Sequence, residues 1–266
     1  MKQSGFAKIQ TQFAALVIPV AFILAILVYF LVMGASSNFQ GNDSANSPLQ
    51  GNFLGIIYKG GYIVPILMTL LIIVLTYSLE RYFTIVKAHG NVAPVKFVAR
   101  LKEYLAADDI KGALAECDLV QGSVASVAKS TLHKYEQMEK DTLMSKEQKI
   151  LDIQKNVEEA ISLELPGLEE NLPVLATITS LATLMGLLGT VLGMIRSFAA
   201  MANAGAPDSV ALASGISEAL VNTAFGIASA ALAMVSYSYF TTKIDKLIYA
   251  IDEAGYSIAQ TFAAKH

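Results

Sequence analysis

Cysteine, histidine and charged residues are all scarce in this chain of 266 residues. The single cysteine, Cys117, excludes a disulfide framework within one chain, and it lacks the neighbours that a metal site needs. The three histidines are scattered. Charged residues make up 15 % of the chain and the net charge is −3, so nothing in the composition indicates a nucleic-acid partner.

The motifs of common enzyme classes are also absent from the sequence. It contains no His-Glu-x-x-His zinc motif, no phosphate-binding loop and no Gly-x-Ser-x-Gly elbow. We therefore predict that the chain is not an enzyme and that it has no cofactor and no metal centre.

Long apolar runs dominate instead, since 54 % of the residues are hydrophobic. Residues 172–195 carry no charge, and the only charged residue in 210–240 is Glu218. The hydrocarbon core of a bilayer is roughly 30 Å thick and needs about 20 apolar residues of helix, so both runs predict membrane spans. Because the connection between them, residues 199–209, is short, the two spans form an antiparallel hairpin.

Two further runs precede this hairpin. Residues 11–33 are uncharged, and they are too long for the apolar core of a signal peptide, which has about 7 to 15 residues. Met33 also stands where cleavage needs a small residue, so we expect an uncleaved first span. Residues 56–79 form the second predicted span, with Lys59 near its start and Pro65 within it.

The distribution of basic residues predicts the orientation of the spans. The loops 34–55 and 199–209 contain no lysine or arginine. The opposite ends of the spans are flanked by Lys2, Lys8, Arg81, Lys87, Lys243 and Lys246. The positive-inside rule therefore places both termini and residues 80–171 in the cytoplasm.

The segments outside the spans differ in character. Loop 34–55 is rich in Ser, Asn and Gly and has little expected capacity to pack. Apolar residues recur every three or four positions in 95–104, 110–115 and 124–135, which predicts amphipathic helices, one of them capped by Asp108-Asp109. We expect the helical run 149–170 to be interrupted at Pro166-Gly167 and again at Pro173.

Together these patterns predict an all-α integral membrane protein with four transmembrane helices, a helical cytoplasmic domain and long helices that extend into the cytoplasm. The predicted segments are an N-terminal transmembrane helix (1–33), a periplasmic loop (34–55), a second transmembrane helix (56–79), the cytoplasmic domain (80–171), a third transmembrane helix (172–198), a short periplasmic loop (199–209), a fourth transmembrane helix (210–240) and a cytoplasmic C-terminal helix (241–266).

Small and polar residues form one stripe along each of the last two spans. Steps of three and four positions keep one face of each helix free of bulky side chains, which lets membrane helices approach closely. The stripes consist of Thr179, Thr183, Gly186, Thr190, Gly193 and Ser197 on the third span and of Gly215, Ala219, Asn222, Gly226, Ser229, Ala233 and Ser236 on the fourth.

A loop symmetric about Gly205 predicts the register of the hairpin. Residue numbers at equal depth then sum to about 408, at 1.5 Å of rise per residue on each helix. This register places Thr190 level with Glu218 and Thr183 nearly level with Thr223. Glu218 then lies roughly 12 Å inside the membrane from the loop side.

Glu218 is the main candidate for a functional residue. A carboxylate at such a position costs on the order of 2.5 to 3.5 kcal/mol by insertion scales, and it usually faces a bundle interior or a wet cavity. We expect an ion-handling role; the alternative is a permanently protonated residue that joins helices by hydrogen bonds. Arg196, near the outer end of the third span, is expected to snorkel to lipid phosphates rather than to form a gating or partner contact.

Four stretches carry a resemblance to a known family. They are residues 109–117 (DIKGALAEC), 164–179 (ELPGLEENLPVLATIT), 186–198 (GLLGTVLGMIRSF) and 215–226 (GISEALVNTAFG). Their order and content resemble the MotA/TolQ/ExbB proton-channel family, closest to ExbB, over roughly residues 56–244. Matched residue by residue, the resemblance implies an ion pathway lined by Thr190, Glu218 and Thr223. Weaker candidates for pore lining or helix packing are Thr183, Asn222, Gly186 and Gly193.

The resemblance also bears on how these residues act together. Thr223 lies about 140° round the helix from Glu218, which favours a path between adjacent subunits, with a packing role for the threonines as the alternative. Two departures from the family pattern stand out. Thr183 occupies a position where ExbB-like chains often have proline, and the first span, 11–33, is absent from three-span members.

The resemblance further implies an assembly. We expect a homo-pentamer in the bacterial inner membrane, surrounded by lipid and enclosing a single-span ExbD-like partner in its central pore. Such a complex converts the ion-motive force, with protons as the expected ion and sodium left open, into work on outer-membrane transport through a TonB-like protein. A TolQ-like or flagellar-stator-like motor subunit and a passive membrane scaffold are the alternatives.

Overall fold

The computed structural model describes residues 16–203 and 209–265. Several features of the sequence-based interpretation lie outside these residues. They are the start of the first span at Thr11, the flanking Lys2 and Lys8, and the loop centre at Gly205.

Helices form almost all of the described chain. No β-strand occurs in these ranges, where the sole extended pairing is an isolated bridge between Phe39 and Pro48. The helices are α1 (Leu16–Met33), α2 (Phe53–Tyr58), α3 (Ile63–His89), α4 (Pro94–Ala106), α5 (Ile110–Val120), α6 (Gly122–Lys140), α7 (Lys146–Glu169), α8 (Leu172–Asn203) and α9 (Ser209–Lys265).

Four of the described helical stretches are long and apolar enough to cross a membrane, which confirms the predicted all-α fold class with four spans. Helix α9 alone has 57 residues. At 1.5 Å per residue it is roughly 85 Å long, far more than a hydrocarbon core about 30 Å thick requires. The chain divides into two compact units, residues 1–79 with 173–237 and residues 80–172 with 238–266.

In the first unit, α1 packs against α3 and α9. Ala25, Tyr29 and Met33 of α1 form a buried cluster with residues of the first turns of α3, and α9 adds two partly buried side chains to it. The remaining members of this cluster include Val64, Met68, Val221 and Phe225. The first span is therefore part of the apolar core of this unit.

The loop after α1 is ordered, so the prediction that it has little capacity to pack is wrong. Phe39 is 1 % exposed, and Asn38 donates from Nδ2 to the carbonyl oxygens of Val32 and Met33, at 2.8 and 3.0 Å. The last carbonyls of a helix have no partner within the helix, and this amide satisfies two of them. The polar composition of the loop supplies such caps and does not reflect a lack of structure.

The second predicted span, 56–79, is divided in the structure. Helix α2 ends at Tyr58 and α3 begins at Ile63, with Gly61 between them at φ +76°. Glycine adopts this left-handed conformation without steric cost, so it reverses the chain where another residue would be strained. Pro65 lies in the first turn of α3, where the missing N–H costs no helix hydrogen bond.

The second unit contains the predicted amphipathic helices, which correspond to α4, α5 and α6. Asp109 accepts a hydrogen bond from the Gly112 N–H at 2.8 Å and so caps the start of α5, as the sequence predicts. On the core side, Tyr135 of α6 meets Phe262 of α9 edge to face, with ring centroids 5.0 Å apart.

Helix α7 runs through Pro166-Gly167 to Glu169, so the interruption predicted at that pair is wrong. The chain turns instead at Asn171, at φ +64°. Arg81 is completely buried and donates from Nη1 to the carbonyl oxygens of Gly167 and Leu168, at 3.0 and 3.1 Å. It thereby satisfies carbonyls that the end of a helix leaves free.

Candidate ion pathway

Helices α8 and α9 pack through their small residues. A methyl group added to Gly186 would lie 3.0 Å from the Cα of Gly226, and one added to Gly193 would lie 3.0 Å from the Cβ of Ala219. One added to Gly215 would lie only 2.0 Å from the Ser197 hydroxyl oxygen. The predicted close approach of the two striped faces is therefore confirmed, at backbone distance over several turns.

The register of this hairpin differs from the predicted one. Helix α8 ends at Asn203 and α9 begins at Ser209, so the connection is centred on position 206 rather than 205. Residue numbers at equal depth therefore sum to about 412, as the Gly186 and Gly226 contact shows. The prediction that Thr190 lies level with Glu218 is wrong, because Thr190 lies level with Asn222 and beside Thr223.

Thr190 and Thr223 form a hydroxyl pair. Their Oγ1 atoms hydrogen-bond to each other, and either hydroxyl can donate. Each Oγ1 also lies 3.2 Å from a carbonyl oxygen one turn earlier in its own helix, that of Gly186 for Thr190 and that of Ala219 for Thr223. Two of the three principal candidates thus meet within one chain.

Glu218 is half-buried and pairs with Arg196 rather than with the threonines. Arg196 donates from Nη1 to Oε1 of Glu218. The Glu218 side chain keeps 14 % of its surface exposed and that of Arg196 keeps 51 %. The sequence did not predict this pair. The expectation that Arg196 snorkels to lipid phosphates stays a prediction, because its half-exposed guanidinium has further N–H donors besides the one bound to Glu218.

Gly61 makes room for this ion pair. A Cβ atom at Gly61 would lie 2.5 Å from the Glu218 Oε1 and 3.1 Å from the Arg196 Nη1. The turn between α2 and α3 therefore lies directly against the acid.

Asn222 fastens the same turn to α9. It is completely buried, and its Nδ2 donates to the carbonyl oxygen of Gly60 at 2.9 Å. Its Oδ1 has no hydrogen-bond partner among the described residues. Gly189 of α8 leaves the space that the Asn222 side chain occupies, since a Cβ there would lie 2.4 Å from the Asn222 Cβ.

Thr183, by contrast, stands apart from the other candidates. It is exposed, and its hydroxyl donates to the Thr179 carbonyl oxygen of its own helix at 3.1 Å. The arrangement of the hairpin thus brings Thr190 to Thr223 and places Glu218 elsewhere, against Arg196 and Gly61.

The segment that carries this arrangement matches a known family. Residues 123–253 match the model described as the MotA/TolQ/ExbB proton channel family. Over this segment, the chain belongs to the MotA/TolQ/ExbB family. All three principal candidates lie inside it.

Curated proteins of the same family align with parts of the chain. The Tol-Pal system protein TolQ of Pseudomonas aeruginosa is 40 % identical over 89 residues, which cover 34 % of this chain and 38 % of that protein. The biopolymer transport protein ExbB of Pseudomonas putida is 30 % identical over 158 residues, 59 % of this chain and 45 % of that protein. The chain thus spans less than half the length of these relatives.

Three contacts around the candidate residues escaped prediction from the sequence. They are the pairing of Arg196 with Glu218, the turn at Gly60 and Gly61, and the clamp by Asn222. The two adjacent glycines inside an apolar run were a usable signal for a turn. A register sum of 412 would also have placed Arg196 within one turn of the level of Glu218.

The chemistry available to the site is that of a carboxylate and hydroxyls. Among the described residues, no group of three or more His, Cys, Asp or Glu side chains is placed to hold a metal ion. A carboxyl group accepts or releases a proton, and a hydroxyl donates one hydrogen bond while accepting others. Among the candidate residues, the Glu218 carboxyl can therefore exchange a proton, and the threonine hydroxyls can hydrogen-bond.

Proposed function

We propose that this chain is the multi-span subunit of an inner-membrane proton channel that converts the ion-motive force into mechanical work. The observation that carries the proposal is an acid, Glu218, placed one to two turns from a hydroxyl pair, Thr190 and Thr223, on two helices packed glycine to glycine. This arrangement lies inside the segment that matches the proton-channel family.

In the proposed mechanism, Glu218 takes up and releases the proton, and the threonine hydroxyls stabilise it on its way. Thr223 is five residues from Glu218, a rise of about 7.5 Å along α9. This distance exceeds a hydrogen bond. An acidic group on a single-span ExbD-like partner, brought alongside the hairpin, completes the path.

The proposed assembly is a homo-pentamer around that partner, with both termini in the cytoplasm. The distribution of lysine and arginine supports this orientation. Lys59 is the one basic residue of segment 34–62, and its Nζ donates to the carbonyl oxygens of Ser44 and Ala45, at 2.9 and 3.0 Å. Its charge is therefore held within the loop on the outer side.

An ExbB-like role, in which the complex acts through a TonB-like protein on outer-membrane transport, is the leading candidate. A TolQ-like role is the second, because TolQ of Pseudomonas aeruginosa aligns at 40 % identity. Co-purification from the native membrane discriminates between them, since a TonB-like protein is recovered in the first case and a Tol-Pal component in the second. A flagellar-stator-like role and a passive scaffold have weaker support, the latter because it gives no reason for a buried acid.

Replacement of Glu218 tests the proposal in cells. Glu218→Ala is expected to leave the level of the protein and recovery of its single-span partner unchanged while abolishing energised uptake. Glu159→Ala is the matched control, because Glu159 lies on the surface of α7 and pairs with Lys155 one turn away at 3.8 Å. Uptake that survives in Glu218→Ala would refute the channel role.

A further inference from the structure

The ion pair between Arg196 and Glu218 determines which cations can reach the carboxylate oxygen that it occupies. The guanidinium of Arg196 occupies Oε1 of Glu218, an oxygen that a bare cation would also use. Arg196 is the more exposed member of the pair, and Glu218 is the more buried one. A second cation that approaches this oxygen therefore meets a fixed positive charge, and at such short range like charges repel strongly.

The turn between α2 and α3 covers the pair from the side of the first span. Gly60 is held by Asn222, and Gly61 lies within contact distance of both Glu218 and Arg196. Tyr29 of α1 donates its hydroxyl to the Tyr58 carbonyl oxygen at 2.8 Å, and the two rings stack with centroids 4.7 Å apart. The first span thereby fixes the turn from behind. Both glycines lie outside the segment that matches the family model.

A bare cation and a proton make different demands on the Glu218 carboxylate. Hard cations require several oxygen ligands at once. The hydroxyls of Thr190 and Thr223 bond to each other and to helix carbonyls, so they are not directed at Glu218. A proton needs only one oxygen, because it bonds covalently to the carboxylate.

We propose that Arg196 is a specificity-determining residue that, together with the Gly60-Gly61 turn, keeps sodium and other bare cations off Glu218 while leaving the carboxylate open to protons. The role of this exclusion in transport rests on the proposed function. Its physical content, the exclusion of sodium from one carboxylate, is measurable without transport.

Sodium-specific stabilisation measures this exclusion directly. The complex purified with its natural partner is melted in sodium chloride and in choline chloride at equal ionic strength. A ligand that binds only the folded protein raises Tm. We expect Arg196→Gln to have a higher Tm in sodium than in choline. The unaltered protein and Arg196→Lys should have the same Tm in both salts. Lys59→Gln, which removes a charge that is bound to the carbonyl oxygens of Ser44 and Ala45 rather than to Glu218, is the matched control.

A pair of glycine variants tests the role of the turn. Gly61→Ala places a methyl group 2.5 Å from the Glu218 Oε1, which forces the ion pair apart. Gly51→Ala imposes a similar left-handed strain, at φ +83°, with no atom within 4 Å of its methyl group. We expect a sodium-dependent Tm shift in Gly61→Ala and none in Gly51→Ala. The double variant Arg196→Gln with Glu218→Gln should lose the shift, which assigns it to the carboxylate.

Proton flux in reconstituted vesicles adds a functional readout. In Arg196→Gln, replacing choline with sodium should reduce proton flux several-fold, whereas the unaltered protein should show equal flux in both salts. Equal Tm values in both salts for Arg196→Gln and Gly61→Ala would overturn the inference, whatever the flux. Proton flux that persists in Glu218→Gln would overturn the proposed function instead, so the two failures are distinguishable.

Discussion

One added methyl group at Gly226 probes whether close contact between α8 and α9 holds the site together. A Cβ atom there would lie 2.6 Å from the Ala182 carbonyl oxygen and 2.8 Å from the Cα of Gly186. Both are backbone atoms, so the helices must separate. Overpacking of this kind costs about 1–3 kcal/mol, whereas alanine gains about 0.5–1 kcal/mol over glycine inside a helix. We expect Gly226→Ala to lose about 1 kcal/mol net.

Gly167→Ala is the matched control for this substitution. Gly167 also lies in a helix, α7, and a Cβ there would have no atom within 4 Å. Its methyl group adds helix propensity without a clash, so this variant should be at least as stable as the unaltered protein.

Circular dichroism during heating of the purified protein measures both variants. A change of about 1 kcal/mol shifts Tm by roughly 2–4 °C in a protein of about 150–250 residues. Gly226→Ala should melt lower than Gly167→Ala and should also lose proton flux, because separating the helices breaks the bond between Thr190 and Thr223. A Gly226→Ala protein that melts at or above the control would refute the close-packing argument.

Three further predictions concern the second unit. Arg81→Ala should lower the free energy of unfolding by about 3–5 kcal/mol, because it leaves Glu80 and two helix-end carbonyls without their buried partner. Lys155→Ala, which breaks an exposed pair, should change the free energy of unfolding by less than about 1 kcal/mol. Thermal melts of the two variants measure the difference. Burial raises the pKa of the Cys117 thiol to about 12, so a maleimide at neutral pH should label it only after unfolding, and rapid labelling of the folded protein would contradict its burial. Hydrogen bonds from the Leu143 and Met144 N–H groups lower the pKa of Asp141. The stabilising effect of its carboxylate is therefore present above the ordinary aspartate pKa and is lost as pH falls through the lowered value. Asp141→Asn should flatten the dependence of Tm on pH below about pH 4, and an unchanged dependence would contradict this role.

Much of the helical architecture was predictable because it follows from local periodicity. The spacing of apolar residues predicts α4, α5 and α6, and the carboxylate of Asp109 marks the start of α5. The stripes of small residues predict which faces of α8 and α9 meet. These features depend on residues a few positions apart, for which the sequence is directly informative.

The register of the hairpin could not be predicted in this way, because it depends on where the connecting loop is centred. The predicted sum of about 408 is four below the sum of about 412 in the structure, and this error placed Thr190 beside Glu218 instead of beside Thr223. The pairing of Arg196 with Glu218 depends on that register. Likewise, the caps that order the loop after α1 connect residues such as Asn38 and Asn52, 14 positions apart, and no local pattern reveals them.

A helix break was predicted at a proline where the helix continues, and none was predicted at a glycine where the chain turns. Pro166 was expected to interrupt α7, yet the helix continues for a further turn because a missing N–H removes only one bond. Gly61 was not singled out, yet its positive φ divides the second predicted span and gives Glu218 its contact with the turn.

Proton flux through vesicles that contain the complex with Glu218→Gln tests the central claim most directly. Glutamine keeps the size of the side chain and one acceptor oxygen but cannot exchange a proton at neutral pH. With an imposed proton gradient and an entrapped pH indicator, we expect flux to fall to the level of protein-free vesicles, while Glu159→Gln retains it. Undiminished flux in Glu218→Gln would contradict the assignment of this carboxylate to the ion pathway.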